Sequence, residues 1–155
     1  MVDLALYQPD IAKNTGAMLR LGACLGATVH IIHPTGFPFS RHAVKHGALD
    51  YFELAALVEH DDWTAFEAWR QSEARRLALL TTKAGTSVYE TAFQPTDILL
   101  LGRETAGVPE TVAAAVDLQL RIPMRHATRS LNVVTAASLV LGEALRQTGG
   151  FAALG

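Results

Sequence analysis

Apolar positions along the chain fall into short runs separated by polar stretches of helical period. Val2–Tyr7 is mostly apolar and predicts a first strand, broken by Gln8-Pro9-Asp10. Asn14 is expected to cap a helix in which Met18, Leu21 and Leu25 share one face, with Gly26 as a left-handed stop. Thr28–Ile32 predicts a second strand. A Pro/Gly-rich loop from Pro34 to Ser40 leads into a short basic segment (Arg41, His42, Lys45, His46) ending at Gly47, and Leu49–Leu54 is read as a third strand. Asp61 or Asp62 caps a helix with Trp63, Phe66 and Trp69 on its apolar face. Leu77–Thr82 reads as the next strand, closed by Lys83-Ala84-Gly85. Asp97–Leu101 is apolar after its first position, as expected of an interior strand covered on both faces. Pro109 opens a helix to about Val116. Leu118, Leu120 and Ile122 then alternate with Gln119 and Arg121 as a last strand ending at Pro123. After a basic loop, a final helix starts near Ser130 and runs to about Gln147, and its Ala136, Ala137, Gly142 and Ala144 allow close packing against the backbone.

Strand and helix alternate with short connections, so the fold class is α/β, with a largely parallel sheet and helices on both faces. No repeat, low-complexity tract or linker divides the chain, and residues 1–155 are expected to form one domain. Half of the 155 residues are apolar, enough for a real core. The apolar runs are short for a membrane span, and Met1-Val2-Asp3 enters a strand without a basic leader, so no membrane partner is expected. The single Cys24 excludes an internal disulfide framework and fits a reducing compartment, hence a cytoplasmic location. A net charge of −2 gives no general attraction for polyanions; nucleic-acid binding would need a local basic patch.

The Gly-x-Gly-x-x-Gly fingerprint is absent after the first strand, as is a Gly-Lys-Ser/Thr phosphate loop, which disfavours conventional dinucleotide and triphosphate sites. His42 and His46 are four apart with no third ligand in evidence, and no metal is expected. Three polar clusters remain: Asn14 to Arg20, Leu101 to Pro109, and Ile122-Pro123-Met124 to Ser130-Leu131-Asn132. Taken separately, Asn14 and Ser130 read as helix caps, Arg20 as a surface ion-pair partner and Glu104 as a carboxylate near a helix start. Each cluster follows a strand and opens a helix, so all three are able to meet at the carboxyl edge of the sheet, where open parallel sheets bind ligands.

Together the clusters resemble the three motifs, in order, of the SpoU branch of the SPOUT RNA methyltransferases. The carriers are Asn14, Gly16 and Arg20; Gly102, Glu104, Gly107 and Pro109; and Ile122-Pro123-Met124 with Ser130-Leu131-Asn132. The opening Leu6-Tyr7 through Asn14-Thr15-Gly16, the strand around His30 followed by Pro34 and Gly36-Phe37, and Gly47-Ala48-Leu49-Asp50-Tyr51 are similar to the compact TrmL (YibK-like) subfamily. Against frequent family residues, Val134 and Thr135 replace Ser and Asn, and Arg103 and Ala106 replace Pro and Arg; these departures bear on substrate preference more than on methyl transfer.

The resemblance implies bound S-adenosyl-L-methionine, a homodimer, and a carboxyl-terminal segment threaded into a trefoil knot. It implies cofactor contacts at Leu80, Gly102, Ile122, Ser130 and Leu131. The implied reaction is 2′-O-methylation of ribose at the wobble nucleotide of leucine tRNAs, with Arg20 at the acceptor hydroxyl, from the same or the partner subunit, and Asn14, Glu104, Ser130 and Asn132 positioning substrate or loops. A guanidinium is a poor general base, which favours charge stabilisation for Arg20. Arg41, Lys45, Arg125 and Arg129, with His42, His46 and His126, are candidates for a phosphate-facing surface. The competing readings are a 2′-O-methyltransferase for another tRNA or rRNA position, a non-catalytic RNA-binding module, and a flavodoxin-like nucleotide binder.

Overall fold

A computed structural model describes all residues, 1–155. In chain order the elements are β1 (Asp3–Tyr7), α1 (Ala12–Leu25), β2 (Val29–Ile32), α2 (Arg41–Ala48), β3 (Leu57–His60), α3 (Trp63–Ser72), β4 (Leu77–Leu80), β5 (Thr86–Ser87), β6 (Ile98–Leu101), α4 (Glu110–Ala115), β7 (Leu118–Arg121) and α5 (Val133–Thr148). The strands form one seven-stranded sheet in the order β3-β2-β1-β6-β4-β7-β5, and every pairing is parallel.

Alternation along the inner strands sends side chains to two cores. Leu4, Leu6, Leu99, Leu101 and Ala78 pack with Met18 and Leu19 of α1 and with Val140, Leu141 and Leu145 of α5. On the other face, Ala5, Tyr7, Leu77, Leu79, Ile98 and Leu100 pack with Phe66 of α3 and Val112 of α4. The strand at Ile98–Leu101 is therefore interior, with all four residues buried, as its unbroken apolar run predicts.

Gly26 ends α1 at φ 70°, and Asp62 caps α3 by accepting from the Ala65 N–H at 2.7 Å. Four local expectations are corrected. Leu49–Leu54 is a 3₁₀ segment, not a strand: Leu49 and Leu54 are 52% and 73% exposed, so no sheet face collects them, and the third strand lies instead at Leu57–His60. Asn14 does not cap α1, which begins at Ala12 after Ile11. Ser130 does not start the last helix; Asn132 does, its Oδ1 accepting from the Val134 N–H at 2.8 Å and the Thr135 N–H at 3.3 Å. Glu104 lies six residues before α4, beyond reach of that helix's first turn. The short β5 carries too little pattern to be read from two residues.

α1 and α2 cross where two glycines meet. A Cβ on Gly16 would lie 2.7 Å from the Ala48 nitrogen, and one on Gly47 would lie 2.5 Å from the Ala17 nitrogen, so neither position has room for a side chain. On the opposite flank, residues 81–97 leave β4, pass beyond β7 to form β5, and return to β6. This excursion is tied to α5: the Phe93 N–H donates to Gln147 Oε1 at 2.9 Å, and Gln147 Nε2 donates to the Thr91 carbonyl at 3.0 Å.

Candidate active site

The carboxyl ends of β4, β6 and β7 open into a cleft of about 820 Å³. Its wall combines Leu80, Gly102, Ile122, Ser130 and Leu131 with Asn14, Glu104 and Asn132, so the three polar clusters do converge. The strands bring them there because their parallel register ends Leu80 and Leu101 side by side.

The loop after β6 is a tight turn. Arg103 and Gly107 exchange both backbone hydrogen bonds, at 3.0 and 2.8 Å. Gly107 has φ 64°, and a Cβ on Gly102 would lie 2.7 Å from the Gly107 carbonyl carbon; the first glycine gives left-handed freedom and the second gives clearance. This turn is fastened to Asp10, on the β1–α1 connection. Glu104 Oε2 accepts from the Asp10 N–H at 3.1 Å, and the Thr105 hydroxyl donates to the Asp10 carboxylate. Burial, with the adjacent Asp10 carboxyl, pushes the Glu104 carboxyl up from its ordinary value. A hydrogen bond from the Glu104 carboxyl, helped by Thr105 and Arg103, holds Asp10 below its own. The two neighbouring carboxyls are thus pushed in opposite directions, Glu104 upward and Asp10 downward.

A second link joins α1 to the start of α5, where Asn132 Nδ2 donates to Asn14 Oδ1 at 3.2 Å. Asn132 thus both caps a helix and fixes Asn14 at the cleft wall. Asn14, the third residue of α1, is past the capping position and spends its side-chain oxygen on Asn132 instead.

Basic residues are distributed differently. Arg20 is exposed on α1, its guanidinium 5.1 Å from the Tyr51 ring centre, and it does not line the cleft. Arg41 and Lys45 are exposed on α2, Arg41 pairing with Glu53 and lying over the Phe52 ring. Arg125 and Arg129 are exposed in the loop between β7 and α5, and His42, His46 and His126 are exposed as well.

With this geometry in view, a model of the SpoU rRNA Methylase family matches residues 1–142. The chain belongs to that family. Among curated SpoU relatives, a tRNA (cytidine(34)-2′-O)-methyltransferase from Beijerinckia indica is 54% identical over 149 residues, covering 96% of this chain and 93% of the relative. A structure solved for insight into "2-OH methylation of C/U34 on tRNA" superposes with a TM-score of 0.90 at 38% identity, covering 95% of each chain. The SpoU methyltransferase AviRb from Streptomyces viridochromogenes, solved in complex with AdoMet, shares the fold with a TM-score of 0.81 at 24% identity, covering 95% of this chain and 60% of its own.

Two residues of this SpoU site escape sequence reasoning. Asp10 reads only as part of a strand-breaking Gln8-Pro9-Asp10, because its partners Glu104 and Thr105 lie 94 and 95 residues away. Lys83 reads as loop closure, yet it lines the cleft.

Proposed function

We propose that this protein is an S-adenosyl-L-methionine-dependent RNA 2′-O-methyltransferase acting on the wobble nucleotide, cytidine or uridine 34, of tRNA, with leucine tRNAs as substrates. The names of its relatives support the reaction and the tRNA position. The observation that carries the reading is the convergence of Asn14, Glu104, Ser130 and Asn132 on a cleft that also presents Leu80, Ile122 and Leu131.

The cleft suits the cofactor: about 820 Å³ is ample for a nucleoside and an amino-acid tail, and Leu80, Ile122 and Leu131 offer apolar surface beside the open backbone of Gly102. S-adenosylmethionine would supply an activated methyl group on its sulfonium. What is asked of the protein is alignment and proton removal at the ribose hydroxyl. Asn14 and Asn132 hold one side of the cleft in register through their mutual bond. Glu104, accepting from the Asp10 N–H, fixes the glycine turn to the β1–α1 connection.

Arg20, outside the cleft of its own chain, fits the role of a residue supplied by a second copy, which supports a homodimer. The excursion of residues 81–97 past β7 and its two hydrogen bonds to Gln147 of α5 support a trefoil knot in the carboxyl-terminal part of a single 1–155 domain. Exposed Arg41, Lys45, Arg125 and Arg129 are assigned to RNA phosphates. A cytoplasmic location follows from a tRNA substrate, and no helix is long and apolar enough to cross a membrane.

The test is transfer of labelled methyl from S-adenosylmethionine to unmodified leucine tRNA, followed by nuclease mapping. Label on the wobble ribose establishes reaction and substrate together. Label on another nucleotide keeps the enzyme class and discards the wobble assignment, and absence of transfer to any tRNA overturns the reading.

A further inference from the structure

Arg103 is set apart from the other partly buried arginines by what its side chain does not do. Arg70 makes four side-chain hydrogen bonds, Arg75 and Arg76 make three each, and Arg121 makes one, at 3.5 Å, all to carboxylates or carbonyls within the fold. Arg103 has its Nε buried without a partner, and its nearest carboxylate oxygen, Asp10 Oδ2, lies 3.9 Å away, beyond hydrogen-bond distance. Asp10 Oδ2 is already engaged by the Thr105 hydroxyl, while Asp10 Oδ1 is, like Arg103 Nε, buried without a partner, so carboxylate and guanidinium face each other without bonding. The backbone of Arg103, by contrast, is fixed by two hydrogen bonds to Gly107. A rigid base thus carries a guanidinium whose Nε is buried and unpartnered beside the Asp10 carboxylate.

Its position gives those donors a direction. Arg103 lines the main cleft and also a smaller hollow of about 210 Å³ formed by Tyr7, Gln8 and residues 106–109, where it is the one charged residue. The hollow lies on the β1 side of the glycine turn, away from Leu80 and Ile122. The other cation of the main cleft, Lys83, stands on the β4 side. A planar fork of donors between the cofactor cleft and an adjoining hollow matches a tetrahedral oxyanion that accepts two bonds at once.

We infer that Arg103 binds a backbone phosphate of the acceptor RNA next to the ribose being methylated, Asp10 holding its charge in place until that phosphate arrives. This deepens the methyltransferase reading and rests on it. Arg103 thereby joins the exposed basic residues, differing from them in sitting at the cleft itself, where it orients the nucleotide rather than only attracting it.

The experiment uses the full-length protein, Arg103→Ala and Arg103→Lys, an anticodon stem-loop RNA followed by fluorescence anisotropy with S-adenosylhomocysteine present, and calorimetry of S-adenosylmethionine without RNA. Arg103→Ala is expected to weaken RNA binding about tenfold and to lower the slope of log affinity against log salt by about one, while cofactor affinity stays within about twofold. Arg103→Lys is expected to recover the salt slope but only part of the affinity, because an ammonium does not bind bidentately. Loss of cofactor affinity with RNA binding intact would reassign Arg103 to the cofactor carboxylate and overturn the inference, as would unchanged RNA affinity and slope. Retained cofactor binding by Arg103→Ala also excludes collapse of the turn. Methyl transfer by the wild-type protein is measured separately, so a failure of the catalytic reading is distinguished from a failure of this one.

Discussion

Asp97 is fully buried and has both oxygens bonded: Arg76 Nε donates to Oδ1 at 2.9 Å, Arg76 Nη2 to Oδ2 at 2.7 Å, and the Gln94 N–H to Oδ2 at 2.8 Å. Asp97→Asn removes the countercharge and turns an amide toward the guanidinium, so urea unfolding is expected to show a loss of about 3 kcal/mol. Asn132→Ala separates stability from function. Loss of the cap costs about 1 kcal/mol, a few degrees in Tm, whereas release of Asn14 is expected to lower kcat more than tenfold without a comparable change in cofactor affinity. Single residues are where sequence reading was weakest. That Asn14, Glu104, Ser130 and Asn132 would meet was legible through motif resemblance, but the hydrogen-bond partners of Asn14, Glu104 and Asn132 were not. A side chain's partner is set by strand order, and Asn14 meets Asn132 across 118 residues.

Between elements, the tightest constraint is the crossing of α1 and α2. A methyl group on Gly47 has no space against the Ala17 nitrogen, and backbone cannot swing aside as a long side chain does. Gly47→Ala is expected to destabilise the fold by about 2 kcal/mol in urea unfolding and, by tilting α1, to impair methyl transfer, since Asn14 and Arg20 both ride on that helix. The strands and helices facing a core were legible because period-two and helical patterns survive in single segments: Leu99, Leu101 and Ile98, Leu100 sort cleanly to opposite faces. Leu49–Leu54 misled because a short apolar run has no period of its own, and its residues pack beside α2 rather than in the sheet.

Across the whole molecule, Arg20 and the cleft are separate in one chain. Arg20→Ala and Gly102→Val are each expected to be inactive, the second because its side chain would strike the Gly107 backbone. Mixed after co-expression, they are expected to regain roughly a quarter of wild-type transfer, from dimers with one intact site. No recovery would mean that Arg20 does not act in a partner's site. Acid stability offers another test. Burial, with His30 alongside and against the pull of Asp61, holds the His60 imidazole below its ordinary 6.5. The unfolded chain therefore binds this proton first, and stability falls as pH drops through about 6.5. Glu104, pushed upward, acts in the opposite sense, its contribution fading as pH rises. The difference between wild type and His60→Gln in urea unfolding, from about pH 5 to pH 7.5, cancels Glu104 and should isolate the histidine's slope. Sheet order was illegible in the sequence for the same reason side-chain partners were, and it has a consequence for synthesis. β1 pairs with β2 on one side and with β6 on the other, so its second edge has no partner until Ile98–Leu101 exists. A nascent chain stalled before that point emerges with the backbone N–H and C=O groups of one edge of Asp3–Leu6 unpaired, a template for sticking to its neighbours. Truncated translation products of this protein should thus be insoluble or chaperone-bound until residue 101 has cleared the ribosome.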